Sequence, residues 1–146
     1  GQYVSGRDLT DDYNRTRGEG FGRETRRRII LGTYVLSAGY YDAYYERAVA
    51  VKRAITKEFN QAFKRVAAIV TPTAPTAPFK LGERVHDPVQ MYLADLFTVP
   101  ANLAGLPAIS TPSGKDAADL PFGLQIIAPP FAEERLFEIS KNYAHL

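Results

Sequence analysis

The sequence has no cysteine and no tryptophan, one methionine and two histidines. Without cysteine there is no disulfide framework, no thiolate nucleophile and no thiolate-ligated metal. His86 and His145 stand far apart and in no ligand spacing, so a zinc site is not expected. Proline is missing from the first 71 residues, all ten lying between Pro72 and Pro130. No run approaches the roughly 20 apolar residues of a membrane-spanning helix. The start also lacks the basic, apolar and small-residue succession of a secretory signal. Net charge is only +2, which by itself implies neither nucleic acid nor membrane. A cytoplasmic location is therefore the default expectation. The chain opens "GQYVSGRDL" rather than with methionine, and is expected to be processed or a piece of something longer.

What is present suits a globular protein. A chain of 146 residues, 45% apolar and 23% charged, is long enough for a genuine core and ordinary in composition. The proline distribution predicts two halves of one portion spanning 1–146, helical over 10–66 and α/β over 67–146. From Asp42 to Val66, Tyr44, Ala48, Val51, Ile55, Phe59, Ala62 and Val66 recur at steps of three and four. That spacing predicts an amphipathic helix whose basic residues face water. From Glu24 to Leu36 the apolar residues cover nearly the whole circumference, which predicts a buried helix. "GEGFG" (Gly18–Gly22) would begin it and "SAG" (Ser37–Gly39) would end it.

The second half alternates strands with helices. "AAIVTPT" (67–73), Ala108–Thr111 and Gly123–Ala128 read as strands. "VQMYLADLFT" and "VPANLAG" read as short helices or turns. "FAEERLFEISKNYAHL" closes with a helix carrying Leu136, Ile139 and Tyr143 inward. The fold class is thus α/β, N-terminal helices followed by strands of a mixed sheet with flanking helices.

Chemistry is sparse. "GEGFG" lacks the preceding strand and the Gly-Lys-Ser/Thr ending of a phosphate loop. Ser37, Ser110 and Ser113 stand in no Gly-x-Ser-x-Gly elbow, and a serine without a base is a poor nucleophile. The cluster Arg23, Arg26, Arg27 and Arg28 could bind RNA, yet it is short and partly offset by Glu19 and Glu24. Two charges sit in apolar settings. Arg28 shares a stripe with Leu31, Gly32 and Val35, although Glu24 lies four residues before it, a good helical ion-pair arrangement. Asp95 stands within "MYLADLFTVP", where it either caps the following helical turn or serves a ligand. An arginine that forks onto a carboxylate and an aspartate that receives an ammonium would make a small zwitterion site.

Four strings carry a family resemblance: "TRGEGFGRETRRRIILGTYVLSAGYYDAYYERA", "IVTPTAPTAPFKLGE", "DPVQMYLADLFTVPANLAGLPAIS" and "LPFGLQIIAPPFAEERLF". They resemble the C-terminal part of the A subunits of glutamyl-tRNA(Gln) and aspartyl/glutamyl-tRNA amidotransferases, within the amidase signature superfamily. The likeness runs from about Tyr13 to the end. It implies an amidase-signature fold and a glutaminase, which hydrolyses glutamine and passes ammonia to its B and C partners. There, with ATP and magnesium used by the partner subunit, Glu-tRNA(Gln) becomes Gln-tRNA(Gln). The family's nucleophilic serine, bridging serine and lysine lie in a Gly/Ser-rich stretch with no counterpart here. The resemblance therefore implies no catalytic residue and no cofactor in this chain.

By motif position the family's glutamine-carboxylate arginine falls on Arg28 and its α-amino aspartate on Asp95, with Gly32 leaving room beside Arg28. "TPSG" departs slightly from relatives that carry cysteine at Ser113. The expected function is glutamine binding without hydrolysis by the chain alone. Open strand edges are expected to drive self-association. The alternatives are a portion of another amidase-signature amidohydrolase and a non-catalytic RNA- or protein-binding helical module. Strongly salt-dependent tRNA binding would mark the last of these.

Overall fold

The computed structural model describes residues 2–143. Two compact units divide it, Gly1–Val49 and Ala50–Leu146.

The first unit is helical. Helix α1 (Leu9–Gly20) begins at Asp8, whose side chain accepts from the Asp11 amide at 2.9 Å, satisfying one of the orphan donors of a helix start. The preceding segment folds back on it. Tyr3 donates its hydroxyl to Asp12 Oδ2 at 2.6 Å, the Val4 amide donates to Thr16 Oγ1 at 2.9 Å, and Arg15 Nη1 donates to the Ser5 carbonyl at 2.6 Å. Helix α2 (Arg23–Val35) starts after Gly22 and gives way to a wide-turned helical segment, Tyr41–Glu46. Tyrosines join these last two: the rings of Tyr34 and Tyr40 lie 4.3 Å apart, and those of Tyr40 and Tyr44 6.0 Å apart.

One expectation fails here. Helix α2, predicted to be buried, has no buried residue. Ile30 is 69% exposed, and Ile29, Leu31 and Tyr34 about half exposed. A helix apolar all round is buried only where other elements supply a surface on each side. The first unit by itself does not supply it.

Helix α3 (Arg47–Ala62) follows, shorter than the 42–66 span expected. At its N-terminal side the chain widens through the tyrosine-rich turn. At its C-terminal side the Arg65 amide bonds the Ala62 carbonyl at 2.9 Å, the tighter spacing of a closing turn.

The second unit is built on a three-stranded sheet in the order β1-β3-β2, from β1 (Ile69–Pro72), β2 (Ala108–Lys115) and β3 (Pro121–Ile127). Both pairings are antiparallel, so the described strands lack the parallel pairing of a mixed sheet, while the α/β class stands. Alternation across the sheet assigns the faces. Ile69 and Ala108 flank Ile127 in register, and on that face Ile127 packs with Ala101 and Leu106 against Phe59, Phe63 and Ala104. Val70 and Ile109 flank Ile126, and Ile126 packs with Ala128, Leu136 and Ile139 on the opposite face. Helices α3 and α5 (Val99–Ala104) thus cover one face, and α6 (Glu133–Tyr143) covers the other.

Short helices connect these layers. Asp87 caps α4 (Pro88–Leu93), accepting from the Gln90 amide at 3.0 Å. Helix α5 ends at Gly105 with φ +68°, a left-handed conformation that glycine adopts without a Cβ penalty. Strand β2 carries an irregularity between Pro112 and Gly114. The extra residue, Ser113, exchanges a 2.8 Å hydrogen bond with the Tyr143 hydroxyl, tying the bulge to α6. Among the described residues no helix is long and apolar enough to cross a membrane.

Two substitutions should move stability in opposite directions. Thr111 is 6% exposed and its hydroxyl has no hydrogen-bond partner among the described residues; removing an unsatisfied buried hydroxyl recovers its desolvation cost. Thr111→Val is expected to stabilise by about 1 kcal/mol. A Cβ on Gly123 would sit 2.7 Å from Thr73 Oγ1 and 2.8 Å from Ser110 Oγ, and Gly123→Ala is expected to destabilise by about 1–3 kcal/mol. Urea titration of both variants checks the pair, and matching signs would refute the packing described. A third expectation concerns Asp12. The Tyr3 hydroxyl, then the Gly6 amide, hold its carboxyl below its ordinary pKa, while the Tyr3 phenol is raised, chiefly by that same bond. A lowered acid stabilises the fold above its unfolded pKa and loses that contribution as pH falls through the folded one. Tyr3→Phe should move the Asp12 titration upward, read by carboxyl carbon NMR; an unmoved curve would contradict the strap.

Candidate functional site

The two charges singled out from the sequence belong to different units, Arg28 to the first and Asp95 to the second. Each has a defined local setting.

Arg28 lies in the middle of α2. One turn earlier Glu24 faces it, with Arg28 Nε 3.0 Å from Glu24 Oε1. Arg27 reaches the same carboxylate at 3.8 Å, and Arg26 turns back to donate to the Gly18 carbonyl. The helical ion pair weighed from the spacing is therefore formed, and the Arg28 side chain remains 65% exposed. At Gly32, one turn on, an added Cβ would meet nothing within 4 Å.

Asp95 occupies the turn between α4 and α5. Its side chain does not cap α5: the residue before that helix is Thr98, which makes no side-chain capping bond. The Asp95 backbone holds the turn instead. Its carbonyl accepts from the Thr98 amide at 3.1 Å, the Val99 amide at 3.0 Å and the Thr98 hydroxyl at 3.3 Å. Its side chain is exposed.

Beside that turn lies a groove of about 670 Å³, lined by Ala94, Thr73, Ser110, Ser113, Phe122, Gly123 and the proline-rich segment 74–79 among others. Thr73 Oγ1 and Ser110 Oγ are 2.7 Å apart, and they meet above Gly123, where a side chain would collide with both. Among the described residues no base serves these hydroxyls. Ser110 pairs with a threonine, Ser113 with Tyr143, and Ser37 donates to the Tyr34 carbonyl at 2.6 Å. Without a proton acceptor these serines are weak nucleophiles at neutral pH. The groove can offer neutral donors and acceptors on an apolar wall, a setting for binding.

Among the described residues no three of histidine, aspartate or glutamate gather as metal ligands; His145 lies outside those residues. Gln125 escaped the sequence reading. It is 4% exposed and donates to both Thr71 Oγ1 (3.0 Å) and the Phe97 carbonyl (2.8 Å). The only signal was one amide inside the apolar run "GLQIIA".

The amidase family profile matches residues 2–137. The A subunit of the glutamyl-tRNA(Gln) amidotransferase of Pelagibacter ubique is 56% identical over 135 residues, covering 92% of this chain and 28% of that protein. Its namesake from Granulibacter bethesdensis is 59% identical over 134 residues, covering 92% and 27%. The chain thus spans little more than a quarter of the length of these curated relatives. Among solved structures, the A subunit of the glutamyl-tRNA(Gln) amidotransferase of Thermotoga maritima superposes with a TM-score of 0.64 at 49% identity, over 88% of this chain and 28% of that one. Kluyveromyces lactis allophanate hydrolase superposes with a TM-score of 0.65 at 26% identity, over 92% and 22%. With nearly its whole length matched by the family profile and its fold shared with solved members, the chain belongs to the amidase family.

Proposed function

We propose that this chain is the substrate-binding portion of the glutamine-hydrolysing A subunit of a tRNA-dependent amidotransferase. The observation that carries this reading is the 56–59% identity to proteins of that name across 92% of the chain. Arg28 receives the α-carboxylate of glutamine and Asp95 its α-ammonium. Held at both ends, the substrate presents its side-chain amide to a nucleophile, which lowers the entropic cost of reaction.

Two features support these roles. The Arg28–Glu24 pair is exposed on both sides, and such pairs are worth about 0–1 kcal/mol. Exchanging the Glu24 carboxylate for a substrate carboxylate therefore costs little. Asp95 presents an exposed carboxylate from a turn whose backbone is closed by hydrogen bonds, so the anion is available while its attachment is fixed.

The activated serine comes from outside this segment, and the ammonia passes to partner B and C subunits. There, with ATP and magnesium, Glu-tRNA(Gln) becomes Gln-tRNA(Gln), a cytoplasmic reaction. The chain contributes binding groups and no cofactor.

Purified alone, it is expected to release no ammonia from glutamine above a matched blank; measurable hydrolysis would end this reading. In a protein of the relatives' full length, Arg28→Ala should cost about 1.5–3 kcal/mol in kcat/KM for glutamine, the loss of a hydrogen bond between charged groups. Arg26→Ala should cost less than about 1 kcal/mol. Equal losses would assign Arg28 to its Glu24 pair alone. The isolated chain leaves β1 and β2 as sheet edges, which invite strand addition. Dimers or larger species are expected by light scattering, and a clean monomer would count against open edges.

A further inference from the structure

We infer that Gln125 is a positioning residue for Asp95, a role that rests on the reading of Asp95 as the group receiving the substrate ammonium. Gln125 stands in the middle strand, opposite Thr71 of β1 and Ser110 of β2. Only 4% of it is exposed, and the next two residues, Ile126 and Ile127, are the largest fully buried side chains. A carboxamide in such a place must find protein partners for its donors.

The Phe97 carbonyl can only accept, so it determines which end of the amide faces it. Gln125 Nε2 donates to that carbonyl at 2.8 Å and places its second N–H on the Thr71 hydroxyl at 3.0 Å. Phe97 is two residues beyond Asp95, inside the turn that the Asp95 carbonyl closes through Thr98 and Val99. The Asp95 amide also donates to the Tyr92 carbonyl at 3.2 Å. The backbone around Asp95 is thus one stiff loop, and Gln125 ties it to the sheet.

Asp95 is exposed, so packing of its own side chain does not set where the carboxylate stands. The backbone sets it, and the Gln125 bond sets the backbone. Displacing a carboxylate from an ammonium partner lengthens and bends the charge-assisted hydrogen bond between them, which weakens binding. A buried amide bonded two residues from the carboxylate is well placed to prevent that displacement.

The test uses a protein of the relatives' full length that carries this segment. Gln125→Leu keeps the volume and removes both donors. It should raise KM for glutamine about tenfold while kcat changes less than about twofold, the pattern of lost uniform binding. Thr71→Val removes only the bond within the sheet; it should lower Tm and leave KM unchanged. Added to Asp95→Asn, Gln125→Leu should shift KM no further, since both act on one contact. Equal KM shifts in Gln125→Leu and Thr71→Val, or full additivity with Asp95→Asn, overturn the positioning role and leave Asp95 as the ammonium site. If Asp95→Asn itself leaves KM unaltered, the binding reading of Asp95 fails and takes this inference with it. Should Gln125→Leu not fold, Gln125→Glu decides. A buried carboxyl donates there only when protonated, so its KM relative to the parent should fall as pH drops, and a flat ratio overturns the role.

Discussion

Everything in the second unit depends on β3 being covered on both faces. Consecutive isoleucines, Ile126 and Ile127, point to opposite sides of the sheet, and both are almost wholly buried. One meets the layer of α6, the other the layer of α3 and α5. Full burial of such a side chain stabilises by about 1.5–3 kcal/mol, so this pair is a large share of what a small sheet can gather. A central strand with two dry faces also excludes water from any polar group it carries. That is why Gln125 must bond the Phe97 carbonyl and the Thr71 hydroxyl. Thr111 of the neighbouring strand β2 is buried opposite Leu124 without a partner among the described residues, a point of weakness.

The strand also shapes the surface beside it. Gly123, two residues before Gln125, leaves the space in which Thr73 and Ser110 join hydroxyls across the sheet. Beyond it the groove opens, with Ala94 of the Asp95 turn on its wall. Core, groove and the turn bearing the candidate anion are thus linked through a few residues of one strand. The first unit obeys different rules. Its order comes from local hydrogen bonds, the strap of residues 3–6 on α1, and from stacked tyrosines, while the apolar circumference of α2 stays exposed.

Much of this was readable from the residues. The strand runs around Ile69, Ile109 and Gly123–Ala128 appear where β-branched residues and turn signals put them. The inward Leu136 and Ile139 of α6 followed from helical spacing. The Glu24 pairing of Arg28 followed from a separation of four, whereas the apolar strings around Arg28 and Asp95 buried neither charge. Other features gave no such sign. Nothing local marks Thr73 and Ser110 as partners, since 37 residues separate them. The reach of Gln125 to Phe97 spans 28. The burial expected of α2 failed for a related reason: periodicity reports what a face would prefer to touch and is silent on whether a partner surface is there.

The sequence by itself determined the element types, the glycine and proline punctuation, the amphipathic faces of α3 and α6 and the family, because each of these is written in short-range spacing or in strings of residues. Tertiary structure alone decided the antiparallel order β1-β3-β2, the hydroxyl pair over Gly123 and the amide tie from β3 to the Asp95 turn. Those depend on strand register, and register is chosen by how two buried faces fill at once, a condition that no single segment contains.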